Sequence, residues 1–168
     1  IYNLSASAVI LNTDSVASDM LGFLQAGNAA FETAKKIEAE ILKGNTLLQP
    51  VQINEHNLLA PVPNPTSCRD GYAFRQHVEA ARRNRKVSMI PEFDQYPIFY
   101  FTNHNAIQGP GEIVCMPDHF QKLDFELEVA VVIGKKGRNI KAAEADQYIA
   151  GYMIMNDMRD RKSTRLNS

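Results

Sequence analysis

Residues 125–136, with the sequence FELEVAVVIGKK, decide the fold of this chain. Apolar residues at 125, 127, 129 and 131 alternate with acidic residues at 124, 126 and 128, which predicts a β-strand with one apolar and one acidic face. Beyond Glu128 the acidic face becomes apolar, with Ala130 and Val132. The strand is therefore expected to run from a solvated or ligand-facing end into a core buried on both faces, with the glutamates at the rim of that core.

The acidic residues of this strand are candidates for a metal site. Successive carboxylates on one strand face stand about 7 Å apart. Like charges near a low-dielectric core repel unless a cation or a basic partner offsets them. Oxygen-only ligands select hard ions, so the implied metal is Mg²⁺, Ca²⁺ or Mn²⁺ and not Zn²⁺. An ordinary acidic face on an exposed strand is the alternative, and the spacing alone leaves both interpretations open.

The rest of the chain predicts a mixture of helices and strands. Residues 14–43 have helical periodicity, as one helix or as two shorter ones because glycines weaken the first half, and residues 70–86 are expected to form a second helix or helical turn. Strands are predicted within 96–102 and 151–155, with a short helix over 142–149 between the β-type runs. This order favours a mixed α/β or α+β domain with β structure concentrated in its second half.

Composition limits the classes of partner. The 168 residues fit one ordinary domain or part of a larger one, and 18 basic against 19 acidic residues remove the basic footprint of a nucleic-acid binder. No apolar run is long enough to cross a bilayer, and the first residues make a poor secretory signal. Two cysteines, Cys68 and Cys115, are expected to be reduced thiols of a cytosolic protein. A small molecule or a protein is the expected partner.

Three further residues carry chemistry that the strand alone does not explain. Asp157 follows the predicted strand 151–155, where its carboxylate could reach the same ion, although Asn-Asp is also an ordinary turn or helix-cap pair. Asp70 and His77 lie seven residues apart, which on a helix is one face about two turns apart. A lone histidine is more often a packed or surface residue than a catalytic base.

Taken together, these motifs resemble the fumarylacetoacetate hydrolase family. The matching stretches are residues 125–136, YIAGY at 148–152, MND at 155–157, DGY at 70–72 and RQH at 75–77, and the resemblance covers about residues 58–157. It implies an α+β fold with an incomplete mixed β-roll core, a variable, helical N-terminal region over 1–57 and a partial catalytic domain over 58–159. The resemblance also implies a role for each site residue: divalent-metal ligands at Asp70, Glu126, Glu128 and Asp157, a catalytic His77 and a substrate-contacting Tyr72.

The resemblance implies a metal-dependent hydrolase that cleaves a carbon–carbon bond in a β-diketone or acylpyruvate-type 2-oxo acid. The expected ion is Mg²⁺ or Ca²⁺, with Mn²⁺ as a third option, and His77 would take a proton from the attacking water. A cytoplasmic homodimer working in aromatic catabolism is expected. A 2-oxo acid decarboxylase, isomerase or hydratase is the alternative within the family, and a non-catalytic binding module is the alternative outside it.

The last residues depart from the family pattern. Residues 160–168 resemble a translated sequencing adapter, so they are expected to be a non-native tail. Family members continue beyond this point with further β-roll strands, a substrate-binding lysine region and a glutamate that orients the histidine. We therefore expect a truncated reading of a longer enzyme, whose isolated form is incomplete as a catalyst and poorly soluble because apolar faces such as that of Val129 and Val131 stay uncovered.

Overall fold

The computed structural model describes residues 1–54, 58–116, 120 and 122–160, and its fold is α+β. Two compact units divide the chain: unit 1 comprises Ile1–Val62 and Gly109–Ser168, and unit 2 comprises Pro63–Gln108. The helices are α1 (Leu4–Ile10), α2 (Met20–Ala26), α3 (Asn28–Leu42) and α4 (Arg75–Asn84), and the strands are β1 (Arg69–Gly71), β2 (Phe99–Phe101), β3 (Leu123–Ile133) and β4 (Ile149–Asp160). Short 3-10 helices cover Pro91–Asp94, His104–Ala106 and Ala142–Tyr148.

The core of unit 1 is built by its three helices. Side chains of Ala8, Phe23, Ala30 and Ile37 form one buried cluster, in which Ile37 is fully buried. Ala30 and Ile37 lie two turns apart on one face of α3, which is how an amphipathic helix buries its apolar stripe. The predicted N-terminal helical region is therefore present in the structure, and its apolar periodicity is what holds it together.

The helical segment predicted over 14–43 forms two helices and not one. Gly27 separates α2 from α3 with φ +61° and ψ −140°, a conformation that glycine adopts without a Cβ penalty. The carboxylate of Asp19 accepts a hydrogen bond from the Gly22 amide at 2.8 Å and so caps the start of α2. The alternative of two shorter helices is the one that the structure confirms.

Unit 2 contains the short antiparallel strand pair β1–β2 and helix α4, which lies between the two strands in the sequence. Asp70 lies opposite Tyr100 in this ladder, and the Tyr72 amide donates a further hydrogen bond to the Ile98 carbonyl at 3.2 Å. The helix predicted from residue 70 begins only at Arg75, because pairing with the distant strand β2 holds residues 69–71 extended. The expectation that Asp70 and His77 share one helical face is therefore wrong.

The hairpin-like pair β3–β4 dominates the second half of unit 1. Leu123 pairs with Asp160 at one end and Val132 with Gly151 near the other, where the register shifts between Val132 and Ile133. The strand predicted from the alternation that begins at residue 124 is confirmed. The strand predicted at 151–155 is longer than expected, because β3 offers ladder partners as far as Asp160. Asp157 therefore lies within β4 and not at a strand end.

The two faces of this hairpin differ from the burial that the sequence predicts. Side chains of Leu127, Val129 and Ile154 are 70%, 69% and 78% exposed, whereas the residues of the acidic face are half-buried. The expected core on both faces is wrong, because no described element packs over the face that carries Leu127, Val129 and Ile154. The expected exposure of the Val129 and Val131 face is confirmed.

The predicted boundary between residues 57 and 58 separates the N-terminal region from the partial catalytic domain. This boundary stays a prediction. Asp160, which was assigned to the predicted non-native tail, is the last residue of β4, and its carboxylate accepts a hydrogen bond from the Lys122 amide at 2.8 Å. The remainder of that tail, residues 161–168, lies outside the described residues.

Candidate metal centre

One face of the β3–β4 hairpin carries three of the predicted metal ligands. Residues directly opposite each other in an antiparallel ladder point to the same side, and Glu126 pairs with Asp157 while Glu128 pairs with Met155. Glu126, Glu128 and Asp157 therefore share one face, and all three are half-buried. The alternation along β3 and the register of β4 together gather these carboxylates.

Glu128 and Asp157 on this face come close enough to share an ion. Each offers a carboxylate oxygen, and these oxygens lie within 4.8 Å of each other. Two oxygens bound to one Ca²⁺ at about 2.3–2.6 Å can stand up to about 5 Å apart, and Mg²⁺ requires a slightly closer pair. The donor set therefore fits a hard divalent cation, with oxygen ligands on a partly desolvated surface.

Glu126 lies on the same face but has a basic partner. The Arg159 guanidinium Nη1 donates to Glu126 Oε1 in an ion pair, with the two side chains 41% and 31% exposed. Arg159 is the diagonal neighbour of Glu126 across the ladder, since it pairs directly with Asp124. The cation that offsets the acidic face is thus, in part, a side chain of the protein. Glu126 as a metal ligand stays a prediction.

Arg159 was missed by the sequence interpretation. A basic residue across the ladder from Glu126 would have indicated the ion pair. The sequence does not show which residue lies there, because the register of β4 is not known from it. The buried Arg159 Nε has no hydrogen-bond partner among the described residues. The guanidinium is therefore held mainly through its Nη1 end.

Unit 2 carries the other predicted site residues. Asp70 is half-buried on β1, and the Tyr100 hydroxyl on β2 donates a hydrogen bond to Asp70 Oδ2. His77 is an exposed residue in the first turn of α4, and Tyr72 is 45% exposed just after β1. Tyr100 was also missed, because nothing in the sequence indicates which residue faces Asp70. The roles of Asp70, Tyr72 and His77 stay predictions.

Comparisons with known proteins agree with these motifs. A sequence model described as "Fumarylacetoacetate (FAA) hydrolase C-terminal" matches residues 66–167. The chain is 30% identical over 162 residues to "Oxaloacetate tautomerase Fahd2a, mitochondrial" from Rattus norvegicus, which covers 94% of this chain and 47% of that protein. It is 32% identical over 144 residues to "Oxaloacetate tautomerase FAHD2A, mitochondrial" from Homo sapiens, covering 84% of this chain and 41% of the relative.

A solved structure gives the same fold. The crystal structure provisionally assigned as an HpcE protein from Mycobacterium smegmatis superimposes with a TM-score of 0.63 at 20% identity, over 93% of this chain and 49% of that chain. The chain thus spans less than half the length of the curated relatives given above. Within the described ranges, no helix has the length and apolarity needed to cross a bilayer.

Proposed function

Because the chain belongs to the fumarylacetoacetate hydrolase family, we propose that it carries the metal-binding face of an enzyme that acts on 2-oxo acids. The proposed ligands are Asp70, Glu126, Glu128 and Asp157. The observation that carries the proposal is the pair of half-buried carboxylates, Glu128 and Asp157, whose oxygens lie within 4.8 Å. Mg²⁺ and Ca²⁺ are the proposed ions, with Mn²⁺ as a third option, because carboxylate oxygens prefer hard cations.

A divalent cation bound here would supply Lewis-acid stabilisation of the negative charge on an enolate oxygen. His77, exposed at the start of α4, is the proposed proton carrier, because an imidazole nitrogen can accept a proton and donate it again. Tyr72 is proposed to donate a hydrogen bond to the substrate. The Tyr100 hydroxyl holds one oxygen of Asp70, which leaves the orientation of that carboxylate fixed from the β2 side.

Keto–enol interconversion of a 2-oxo acid is the reaction that the relatives favour. The rat and human relatives described above are named oxaloacetate tautomerases. In this reaction His77 would move a proton between a carbon next to the 2-oxo group and solvent.

Carbon–carbon hydrolysis of an acylpyruvate is the second candidate, favoured by the family motif around His77. Here the imidazole would take a proton from water, the resulting hydroxide would add to the neighbouring carbonyl, and the carbon–carbon bond would break to release an acid and an enolate. Decarboxylation and hydration use the same enolate and remain outcomes of product analysis. A homodimer and a cytoplasmic location are further proposals. The names of the rat and human relatives give a mitochondrial location for those proteins.

The metal proposal is tested by calorimetry with Mg²⁺ and Ca²⁺ on the 168-residue chain. We expect the double variant Glu128→Ala and Asp157→Ala to lose binding, whereas Glu144→Ala, an exposed acidic residue of unit 1, keeps it. Wild-type affinity in the double variant would remove the metal site.

The reaction is tested separately, by incubating the metal-loaded protein with oxaloacetate and with acetylpyruvate. We expect a change in enol absorbance without release of an acid or of carbon dioxide. Release of an acid would establish the hydrolase, and release of carbon dioxide alone, faster than in the same metal solution without protein, would establish the decarboxylase.

A further inference from the structure

An apolar cavity of about 260 Å³, open to solvent, is lined by helices α2 and α3 and by the β3–β4 hairpin of unit 1. None of the described residues that line it is charged. This volume exceeds the roughly 150 Å³ in which an apolar cavity can hold a benzene molecule. Its lining includes Phe23, Leu24 and Phe31 from the helices, and Val132, Ala150, Gly151, Tyr152 and Met153 from the hairpin.

The cavity adjoins the face of the hairpin that carries the candidate metal ligands, because Val132, Gly151 and Met153 belong to that face, whereas Tyr152 belongs to the other. Met153 lines the cavity, and two residues further along β4 lies Met155, the ladder partner of Glu128. Residues two apart on a strand point to the same side and stand about 7 Å apart. This face therefore changes from paired carboxylates to an uncharged cavity within one repeat of the pleat.

We propose that this cavity holds the apolar substituent of the substrate, while the cation on Glu128 and Asp157 binds its oxygen atoms. The inference rests on the proposed function and names the substrate class: a 2-oxo acid with an unbranched acyl or alkyl substituent several carbons long. Such a molecule lies along the pleat with its polar end at the carboxylates. The reverse orientation would bury a charged group among side chains that offer it no ion partner.

Oxaloacetate cannot use the cavity in this way. Its second end is a carboxylate, and an unpaired carboxylate in apolar surroundings is strongly disfavoured. An acylpyruvate presents methylene groups at the same position, and each buried methylene improves binding by up to about fourfold. The cavity therefore selects among 2-oxo acids by the chemistry of the substituent.

Gly151 gives a means of closing the cavity from the strand side. It lies opposite Val132, so a side chain at this position points to the face that carries the cavity. A Cβ added to Gly151 would meet no atom within 4 Å, and the backbone there is extended, so a larger residue can be accepted. Leucine at this position would occupy the space that the substituent needs.

The test is calorimetry on the Mg²⁺-loaded chain with acetylpyruvate, hexanoylpyruvate, decanoylpyruvate and oxaloacetate. We expect affinity to rise roughly two- to fourfold per methylene until the cavity is full. Gly151→Leu should lower the affinity for decanoylpyruvate at least tenfold and leave the affinity for acetylpyruvate unchanged. Ile154→Phe, which adds volume on the opposite, exposed face of the same strand, is the matched control and should retain the gain.

The outcomes separate this inference from the proposed function. Equal affinity for acetylpyruvate and the longer compounds, or a chain-length gain that survives Gly151→Leu, would overturn the cavity assignment alone. Failure of every 2-oxo acid to bind in the presence of Mg²⁺ would overturn the proposed function, and the inference with it. Circular dichroism checks that Gly151→Leu is folded; if it is not, Met153→Phe narrows the same wall and must give the same loss.

Discussion

Arg159 should weaken cation binding at the carboxylate face, so Arg159→Gln is expected to strengthen it. The guanidinium holds Glu126, which lies two residues before Glu128 on the same face of β3, so its charge stands about 7 Å from a cation at Glu128 and Asp157. Arg159 is 41% exposed, so a water-like dielectric constant applies. A single charge and a divalent ion at that distance repel by about 1.2 kcal/mol in water.

Salt reduces this repulsion in a calculable way. With a Debye length of about 10 Å at 0.1 M salt, roughly half of the repulsion remains, or about 0.6 kcal/mol. Loss of the Arg159 charge should therefore tighten Ca²⁺ or Mg²⁺ binding about threefold at 0.1 M salt and up to about eightfold at low salt. The release of Glu126 from its ion pair acts in the same direction.

The assay is calorimetric titration with Ca²⁺ at two salt concentrations, with circular dichroism as the check on folding. Arg138→Gln is the matched control, because it removes an exposed arginine of unit 1 that lies ten residues beyond Glu128 along the chain. Its effect should be smaller at both salt concentrations. Unchanged or weaker binding in a folded Arg159→Gln protein would refute the reasoning, since it would mean that the arginine supports the site and does not compete with the ion.

Three further predictions concern single contacts. Tyr100→Phe removes the hydroxyl that donates to Asp70 and should weaken Mg²⁺ binding about two- to tenfold, the value of one hydrogen bond; equal calorimetric affinities would contradict a positioning role. Ile37→Ala empties a fully buried site and should lower the free energy of unfolding by about 2–5 kcal/mol in urea denaturation; a loss below 1 kcal/mol would mean that the cluster repacks. Val129→Lys with Ile154→Glu replaces a directly opposed pair on the exposed apolar face and should raise solubility in light-scattering assays, since such faces drive association; an unchanged aggregation threshold would place the cause elsewhere.

Local patterns predicted the elements that depend on local physics. The alternation around Glu126 and Glu128 predicted β3, because side-chain direction along a strand follows from the backbone alone. Helical periodicity predicted the α2–α3 region, and the glycines within it indicated the break that Gly27 provides. In each of these cases the deciding residues are neighbours in sequence.

The errors concern residues whose conformation depends on a distant partner. Asp70 was placed on a helix, but pairing with Tyr100, thirty residues away, holds it in a strand. Asp157 was placed at a strand end, but β3 supplies ladder partners beyond it. Long-range pairing overrides local preference in sheets, and a single sequence does not show which strands will meet. The partners Arg159 and Tyr100 were missed for the same reason.

The acidic face of the hairpin brings like charges together, which opposes folding unless a positive charge lies close to them. Carboxylates are poor strand formers, and half-burial raises the free energy of like charges that stand close together. The Arg159 guanidinium is paired with Glu126, and the oxygens of Glu128 and Asp157 lie within 4.8 Å of each other. A bound divalent cation would turn this repulsion into attraction and would stabilise the native state by its binding free energy.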